Sequence, residues 1–303
     1  MPAMRGNLQT RWLPYASLTV AMMLWASSYI AVKIAFRSYD PMVVIFGRMS
    51  VASLCFMFFF NRFRSRRYQP GSLKYILFMA FCEPCLYFIF EAKALENTSA
   101  SQAGIIAAIL PLLVAIAARF VLREALGKKS LAGFILAIVG AGVLSVYGNP
   151  ETGAPNPILG NFYEFVAMIC ATGYIVTLKR LTATYSPFFL TAIQAGAGCG
   201  FYLLLLFLPS TVLPTTFDPA AALAILYLGA FITVGAYGTY NFGISLIPVN
   251  QASAFINLIP VFTIFLGWLI LGERLTPVQM AAGGVIFLGV LISQEWTRDQ
   301  SRT

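Results

Sequence analysis

The chain has 303 residues, is 59% hydrophobic and only 10% charged, and has a mean hydropathy of +0.80. That is more apolar surface than a soluble domain of this length can bury, and it places the chain in a bilayer. The formal charge of +9 comes from Lys and Arg in short clusters between apolar runs. Membrane topology produces such a placement and nucleic-acid binding does not.

Ten apolar runs are long enough to be read as membrane-crossing helices. They cover Tyr15 to Phe36, Pro41 to Phe60, Lys74 to Leu95, Ser99 to Leu122, Ser130 to Tyr147, Leu159 to Leu181, Pro187 to Leu208, Ala220 to Leu246, Asn250 to Leu271 and Pro277 to Ser293. The first run, preceded by Arg5 and Arg11, is longer than the apolar region of a signal peptide and is read as an uncleaved first helix. Pro41, Pro187 and Pro277 open their runs, where a missing backbone donor costs little. The stretch from Gly148 to Pro157 is rich in glycine and proline and reads as a linker.

Span four and span nine repeat each other. Gln102 to Leu126 aligns with Gln251 to Leu275 at a single offset, matching Pro111 with Pro260, Glu124 with Glu273 and, further on, Gly140 with Gly289. Residues 1–147 are therefore one five-helix repeat and 159–303 the other, with 148–158 as the linker between them. An odd number of spans per half inserts the second half in the opposite sense to the first, the construction of secondary transporters. Both termini fall on the basic, cytoplasmic side. That side collects Arg5, Arg11, Arg62, Arg64, Arg66, Arg67, Lys74, Arg119, Arg123, Lys128, Lys129, Lys179, Arg180, Arg298 and Arg302, against Arg37, Lys93 and Arg274 on the other. Pro111 and Pro260 each remove a helix hydrogen bond, freeing the carbonyls of Ala107 and Ile256, and are candidate hinges for two gates. Pro84 likewise frees the carbonyl of Ala80.

Charges inside a bilayer are costly and turn toward the protein interior. Glu83 stands near the middle of span three and Arg48 about two turns into span two, while Lys33, Glu91 and Glu164 lie nearer span ends. Two readings stand: a structural ion pair between Arg48 and Glu83, or a substrate- or proton-responsive Glu83. With no histidine in the chain, a proton-coupled step falls to a carboxyl group. Polar and aromatic side chains recur at helical spacing on spans from both halves. The candidate substrate-binding residues are Trp25, Ser28, Tyr29, Glu83, Tyr87, Tyr163, Tyr174, Tyr237, Asn241 and Asn257. Read singly, each serves equally well as an interhelical hydrogen bond or an interfacial anchor. Spans five and ten are built mainly of Ala, Gly, Leu, Ile and Val, which suits close packing at the periphery.

The five cysteines, Cys55, Cys82, Cys85, Cys170 and Cys199, lie inside apolar runs and give no disulfide framework. Cys82 and Cys85 form an isolated CxxC that reads as packing. No metal or other cofactor is expected. The chain contains no phosphate-binding GxxxxGK[ST] loop and is not expected to use ATP. It offers no nucleophile beside a base, which argues against a membrane enzyme.

Trp25-Ala-Ser-Ser-Tyr29, Arg48, the twice-repeated helix with Pro111 and Glu124, then Pro260 and Gly272-Glu273, together resemble the drug/metabolite transporter superfamily, and within it the EamA-type exporters with ten spans. Arg123 stands where that family has a glycine before its acidic residue. The aromatic central helices and the Glu83-Pro84 step look most similar to YddG-type aromatic amino-acid exporters. The resemblance implies an all-α integral membrane protein of ten transmembrane helices in two inverted five-helix repeats. Spans one to four and six to nine would surround a central cavity, with five and ten outside. It also implies export of amino acids, aromatic ones above all, or of organic cations. Organophosphate or nucleotide-sugar exchange is the alternative within the superfamily, though Arg48 and Lys33 are few cations for it. Small-molecule substrate and lipid are the expected partners, in a monomer or weak homodimer of a bacterial inner membrane.

Overall fold

A computed structural model describes residues 8–63, 69–121, 128–147 and 154–293. Within them the chain is helical: α1 Leu8–Ala35, α2 Pro41–Phe63, α3 Leu73–Asn97, α4 Ala100–Val121, α5 Lys128–Val146, α6 Pro157–Leu181, α7 Pro187–Leu205, α8 Pro219–Leu246, α9 Gln251–Leu271 and α10 Pro277–Ser293. Among the described residues, eight of these are long and apolar enough to cross a membrane, and α5 and α10 contribute two shorter apolar stretches. The protein is thus an all-α, multi-pass membrane protein. The Arg123-Glu124 turn, most of the 148–158 linker and the basic residues Arg5, Arg64, Arg66, Arg67, Arg298 and Arg302 lie outside the described residues.

Local sequence sets where the helices begin. Ser99 Oγ accepts from Gln102 N at the start of α4, Asn156 Oδ1 from Leu159 N at α6, and Ser186 Oγ from Phe189 N at α7. Asp218 accepts from Ala220 N and Ala221 N at α8. These side chains satisfy amides that the first turn leaves free. The hydroxyl of Ser38 and the two amides hold the Asp218 carboxyl below its usual range. Pro157, Pro187 and Pro219 occupy the first helical positions.

Four of the rods are interrupted, and the interruptions match between halves. In α4 the α-helix lapses at Ala108 and Ile109, whose amides donate to Ile105 and Ile106, three residues back. In α9 a tighter turn at Phe255–Asn257 falls at the corresponding place. Each lies within the turn before Pro111 or Pro260, as the missing proline N–H requires. α3 and α8 each widen to a π-helix, at Phe81–Leu86 and Leu228–Ala236. Glu83 itself leaves helical geometry, with φ −150 and ψ 117. Side chains reach the carbonyls of Glu83, Pro84 and Cys85 at this break. Gln194 Nε2 donates to the first at 2.9 Å, and the Tyr202 hydroxyl to the other two at 3.1 and 2.7 Å. In a bilayer such groups need protein or water partners, and α7 supplies them.

α5 and α10 pack on each other through the two glycines matched in the repeat. A Cβ on Gly140 would come within 2.8 Å of the Ile286 side chain, and one on Gly289 within 2.6 Å of the Gly133 carbonyl. Only a bare backbone lets the two helices come this close. All five cysteines are free.

Candidate functional site

The other eight helices hold the polar interior. A cavity of about 40 Å³ is lined by Trp25, Ser28 and Tyr29 of α1, Arg48 of α2, and Glu83, Tyr87 and Glu91 of α3. α4 adds Ala107 and Leu110, α6 adds Tyr174 with three apolar neighbours, α8 adds Tyr237, and α9 adds Ile256 and Ile259. A second, smaller space beyond Glu83 brings in Thr191 and Gln194 of α7. Among the described residues, α5 and α10 line neither.

Two of these pairs follow from the repeat. Ala107 and Ile256, whose carbonyls the prolines release, both face the cavity, as do Leu110 and Ile259, the residues just before each proline. The broken turns of both halves therefore meet around one space. About 40 Å³ holds roughly three water molecules, far less than an amino acid occupies.

Three carboxylates and one guanidinium are buried here: Glu83, Glu91 and Glu164 against Arg48, which is 3% exposed. Arg48 and Glu83, the candidate ion pair, both line the cavity, and each has a further partner. Arg48 Nε donates to Thr233 Oγ1 at 2.8 Å, and its guanidinium lies 4.2 Å from the centre of the Phe88 ring. Glu83 Oε1 accepts from the Tyr237 hydroxyl. The extended backbone of Glu83 interrupts the regular helical face of α3 at this point. Tyr87 donates to Glu91 Oε1 at 2.9 Å, and Tyr29 to Glu164 Oε1 at 2.9 Å. Phenol donors thus cover part of every buried carboxylate, which lowers the cost of its burial. Oε2 of Glu164 is buried without a protein partner.

Aromatic rings form much of the wall. Trp25 meets Tyr237 edge-on at 5.2 Å and Tyr240 at 4.7 Å, and Tyr174 lies 6.2 Å from Tyr237. Trp25 Nε1 is buried and has no protein partner.

Of the ten candidate residues, seven line the cavity: Trp25, Ser28, Tyr29, Glu83, Tyr87, Tyr174 and Tyr237. Three do not. Tyr163 stacks on Phe90 at 6.3 Å near Lys93, away from the cavity. Asn241 is buried behind the wall, accepting from the Tyr174 hydroxyl and donating to Thr191 Oγ1 at 2.8 Å. Asn257 is buried between the cavity-lining Ile256 and Ile259, with Oδ1 unpartnered in the protein. Sequence reasoning left Glu91 out of the candidate set as lying too near a span end. Its spacing was the available signal: Glu91 follows Tyr87 at a four-residue interval and shares its face of the helix.

Eight helices thus gather around a space lined by apolar, phenolic and charged side chains, with two packed outside, an arrangement suited to a membrane transporter. A profile of the EamA-like transporter family matches the chain twice, over residues 12–146 and 158–293. The chain belongs to that family, and so is a transporter rather than an enzyme. It is 25% identical to the uncharacterized transporter YetK of Bacillus subtilis (strain 168), over 92% of this chain and 86% of that one. It is 23% identical to a probable terminal-alkyne amino-acid exporter of Streptantibioticus cattleyicolor (strain ATCC 35852 / DSM 46488 / JCM 4925 / NBRC 14057 / NRRL 8057), over 94% of this chain and 95% of that one. A crystal structure with 19% sequence identity superposes with a TM-score of 0.63, covering 92% of this chain and 96% of the other. That likeness concerns the fold.

Proposed function

We propose that this chain exports amino acids, aromatic and other neutral ones, by alternating access between two inverted five-helix repeats. The repeats are 1–147 and 159–303, with Pro111 and Pro260 as hinges. The observation that carries the reading is the make-up of the cavity wall. Trp25, Tyr29, Tyr87, Tyr174 and Tyr237 stand beside the carboxyls of Glu83 and Glu91 and the guanidinium of Arg48. Rings of this kind take a flat apolar side chain. The carboxyls suit an α-ammonium and the guanidinium an α-carboxylate. The similarity to a relative named as a probable amino-acid exporter points the same way. The likeness to YddG-type exporters belongs to this proposal, as do a bacterial inner membrane, cytoplasmic termini and a monomeric or weakly dimeric state.

A second reading has one observation in its favour. Carboxylates outnumber the cation in the cavity region, which suits organic cations with no carboxylate of their own. Organophosphate exchange lacks such support, because Arg48 is the only cation lining the cavity among the described residues. Counterflow in proteoliposomes separates the three. Uptake of labelled phenylalanine against unlabelled phenylalanine or tryptophan, without ATP, is the expected result. Exchange of aromatic amines with no amino-acid movement selects the second reading, and exchange of sugar phosphates alone refutes both.

A further inference from the structure

Away from the central cavity, a larger one of about 300 Å³ opens at the ends of α3 and α6. It is framed by Gln69, Pro70, Gly71 and Ser72 of the segment entering α3 and by Thr184 and Tyr185 of the turn after α6. The two segments are fastened together. Gln69 N donates to the Tyr185 hydroxyl at 3.1 Å, Ser72 Oγ and the same hydroxyl lie 2.5 Å apart, and Thr184 Oγ1 donates to Gln69 Oε1 at 3.2 Å. Gly71 makes the turn at φ +83, a conformation in which only glycine is unstrained. The frame is therefore built in advance of any ligand.

Its charge is of one sign. Lys74 and Arg180 both line it, gathered around one ring: the Arg180 guanidinium lies 4.2 Å and the Lys74 ammonium 5.1 Å from the centre of Tyr75. No carboxylate lines the cavity among the described residues. Two like charges held around one ring repel, and an anion between them relieves that repulsion. The surroundings say which kind of anion. Leu73, Leu77 and Phe78, on the same first turns of α3, are 52%, 59% and 51% exposed and face hydrocarbon in a membrane. Lys74 opens a span and Arg180 closes one, so the cavity sits at the level of the lipid headgroups.

We propose that this cavity binds the phosphate of an anionic phospholipid, with Lys74 and Arg180 as its cationic ligands and Leu73, Leu77 and Phe78 beside its acyl chains. The proposal does not depend on what the central cavity carries.

The test is lipid binding to the purified full chain in detergent, read by native mass spectrometry and by thermal stability. Phosphatidylglycerol, phosphatidylcholine and inorganic phosphate are compared on the wild type and on Lys74→Gln with Arg180→Gln. Retention of phosphatidylglycerol about tenfold tighter than phosphatidylcholine, lost in the double variant and kept by the charge-preserving pair Lys74→Arg with Arg180→Lys, is the expected result. Equal retention of phosphatidylglycerol by wild type and double variant overturns the site. Equal stabilisation by millimolar inorganic phosphate overturns the lipid and leaves a soluble phosphate as the ligand. Both side chains are exposed, so their loss leaves the packing intact. Should the double variant still fail to purify, Lys74→Gln alone is read by the same criteria.

Discussion

Tyr29 of the first matched segment donates its hydroxyl to Glu164 of the second at 2.9 Å, and both side chains are buried. The other oxygen of Glu164 has no protein partner, so this bond is the main protein compensation for burying the carboxyl. Tyr29→Phe should therefore lower stability by about 2 kcal/mol, the usual cost of stranding such a group. Glu164→Gln on the Tyr29→Phe background should recover part of that loss, since a neutral amide is cheaper to bury than a carboxylate. Thermal denaturation of the four proteins in detergent completes the cycle. Strictly additive losses would show that the bond contributes nothing of its own.

Arg48 is held by shape as well as by charge, through its Nε bond to Thr233 and its position over Phe88. Lysine keeps the charge but has neither a planar face nor a second nitrogen in the same place. Arg48→Lys should cost about 1–2 kcal/mol of stability, with Thr233→Val close behind. A variant as stable as the wild type by thermal denaturation would mean that charge alone matters at this position.

The acidic residue past α9 has a structural task that its position in the repeat does not reveal. Glu273 Oε1 accepts from Ala100 N and Oε2 from Ser101 N, both at 2.8 Å, and Oε2 also accepts from Ser101 Oγ at 2.6 Å. It caps the start of α4 from a distant turn. Gly267 makes room for it, since a Cβ there would lie 2.6 Å from Ser101 Oγ and 2.8 Å from Glu273 Oε2. Glu273→Ala should cost about 2 kcal/mol, and Gly267→Ala a similar amount through the same cap. Because both act on one set of bonds, the double variant should lose less than their sum in a denaturation series.

How much of this was legible in sequence depends on the kind of signal. Hydropathy and the 102–126 to 251–275 repeat carry the helices and the matched breaks, because apolar length and proline act locally. Seven cavity residues were legible from spacing, since a helix turns four-residue steps into a face. The hydrogen-bond partners of Arg48 and Glu83 were not. Depth alone brings Arg48 and Glu83 together in the sequence, whereas Thr233 and Tyr237 of α8, which bond them, and Gln194 and Tyr202 of α7, which take up the carbonyls at the Pro84 break, come from long-range packing. The π-helix in α8 had no proline to announce it. Tyr163 has the spacing as well, but it stacks on Phe90 and does not line the cavity.

If the matched prolines are hinges, restoring the missing helix bond should bias the transporter in opposite directions. Pro111→Ala and Pro260→Ala each supply an N–H toward Ala107 or Ile256, whose residues face the same cavity. The check is maleimide labelling of a cysteine introduced at Ser28, with reagent applied from either side of the membrane. Opposite changes in access are expected, and identical changes would remove the hinge role from both prolines.

The last prediction concerns substrate preference. Tyr87 and Tyr174 come from α3 and α6, one in each matched segment, and both line the cavity with Trp25 and Tyr237. Burying an aromatic side chain among them is worth about 2–3 kcal/mol before ordering costs, close to two decades in affinity. Preference for phenylalanine over alanine should therefore be graded rather than absolute. The Tyr87 hydroxyl also holds Glu91, so Tyr87→Phe and Tyr87→Ala separate the two roles of this side chain. The phenylalanine variant keeps the ring and should keep the preference for aromatic substrates while losing the bond to Glu91. The alanine variant should lose about tenfold for phenylalanine and tryptophan and less for threonine. Competition by each amino acid in proteoliposome counterflow reads these ratios directly. Equal losses for threonine and tryptophan in Tyr87→Ala would mean that the ring positions the helices and does not meet the substrate.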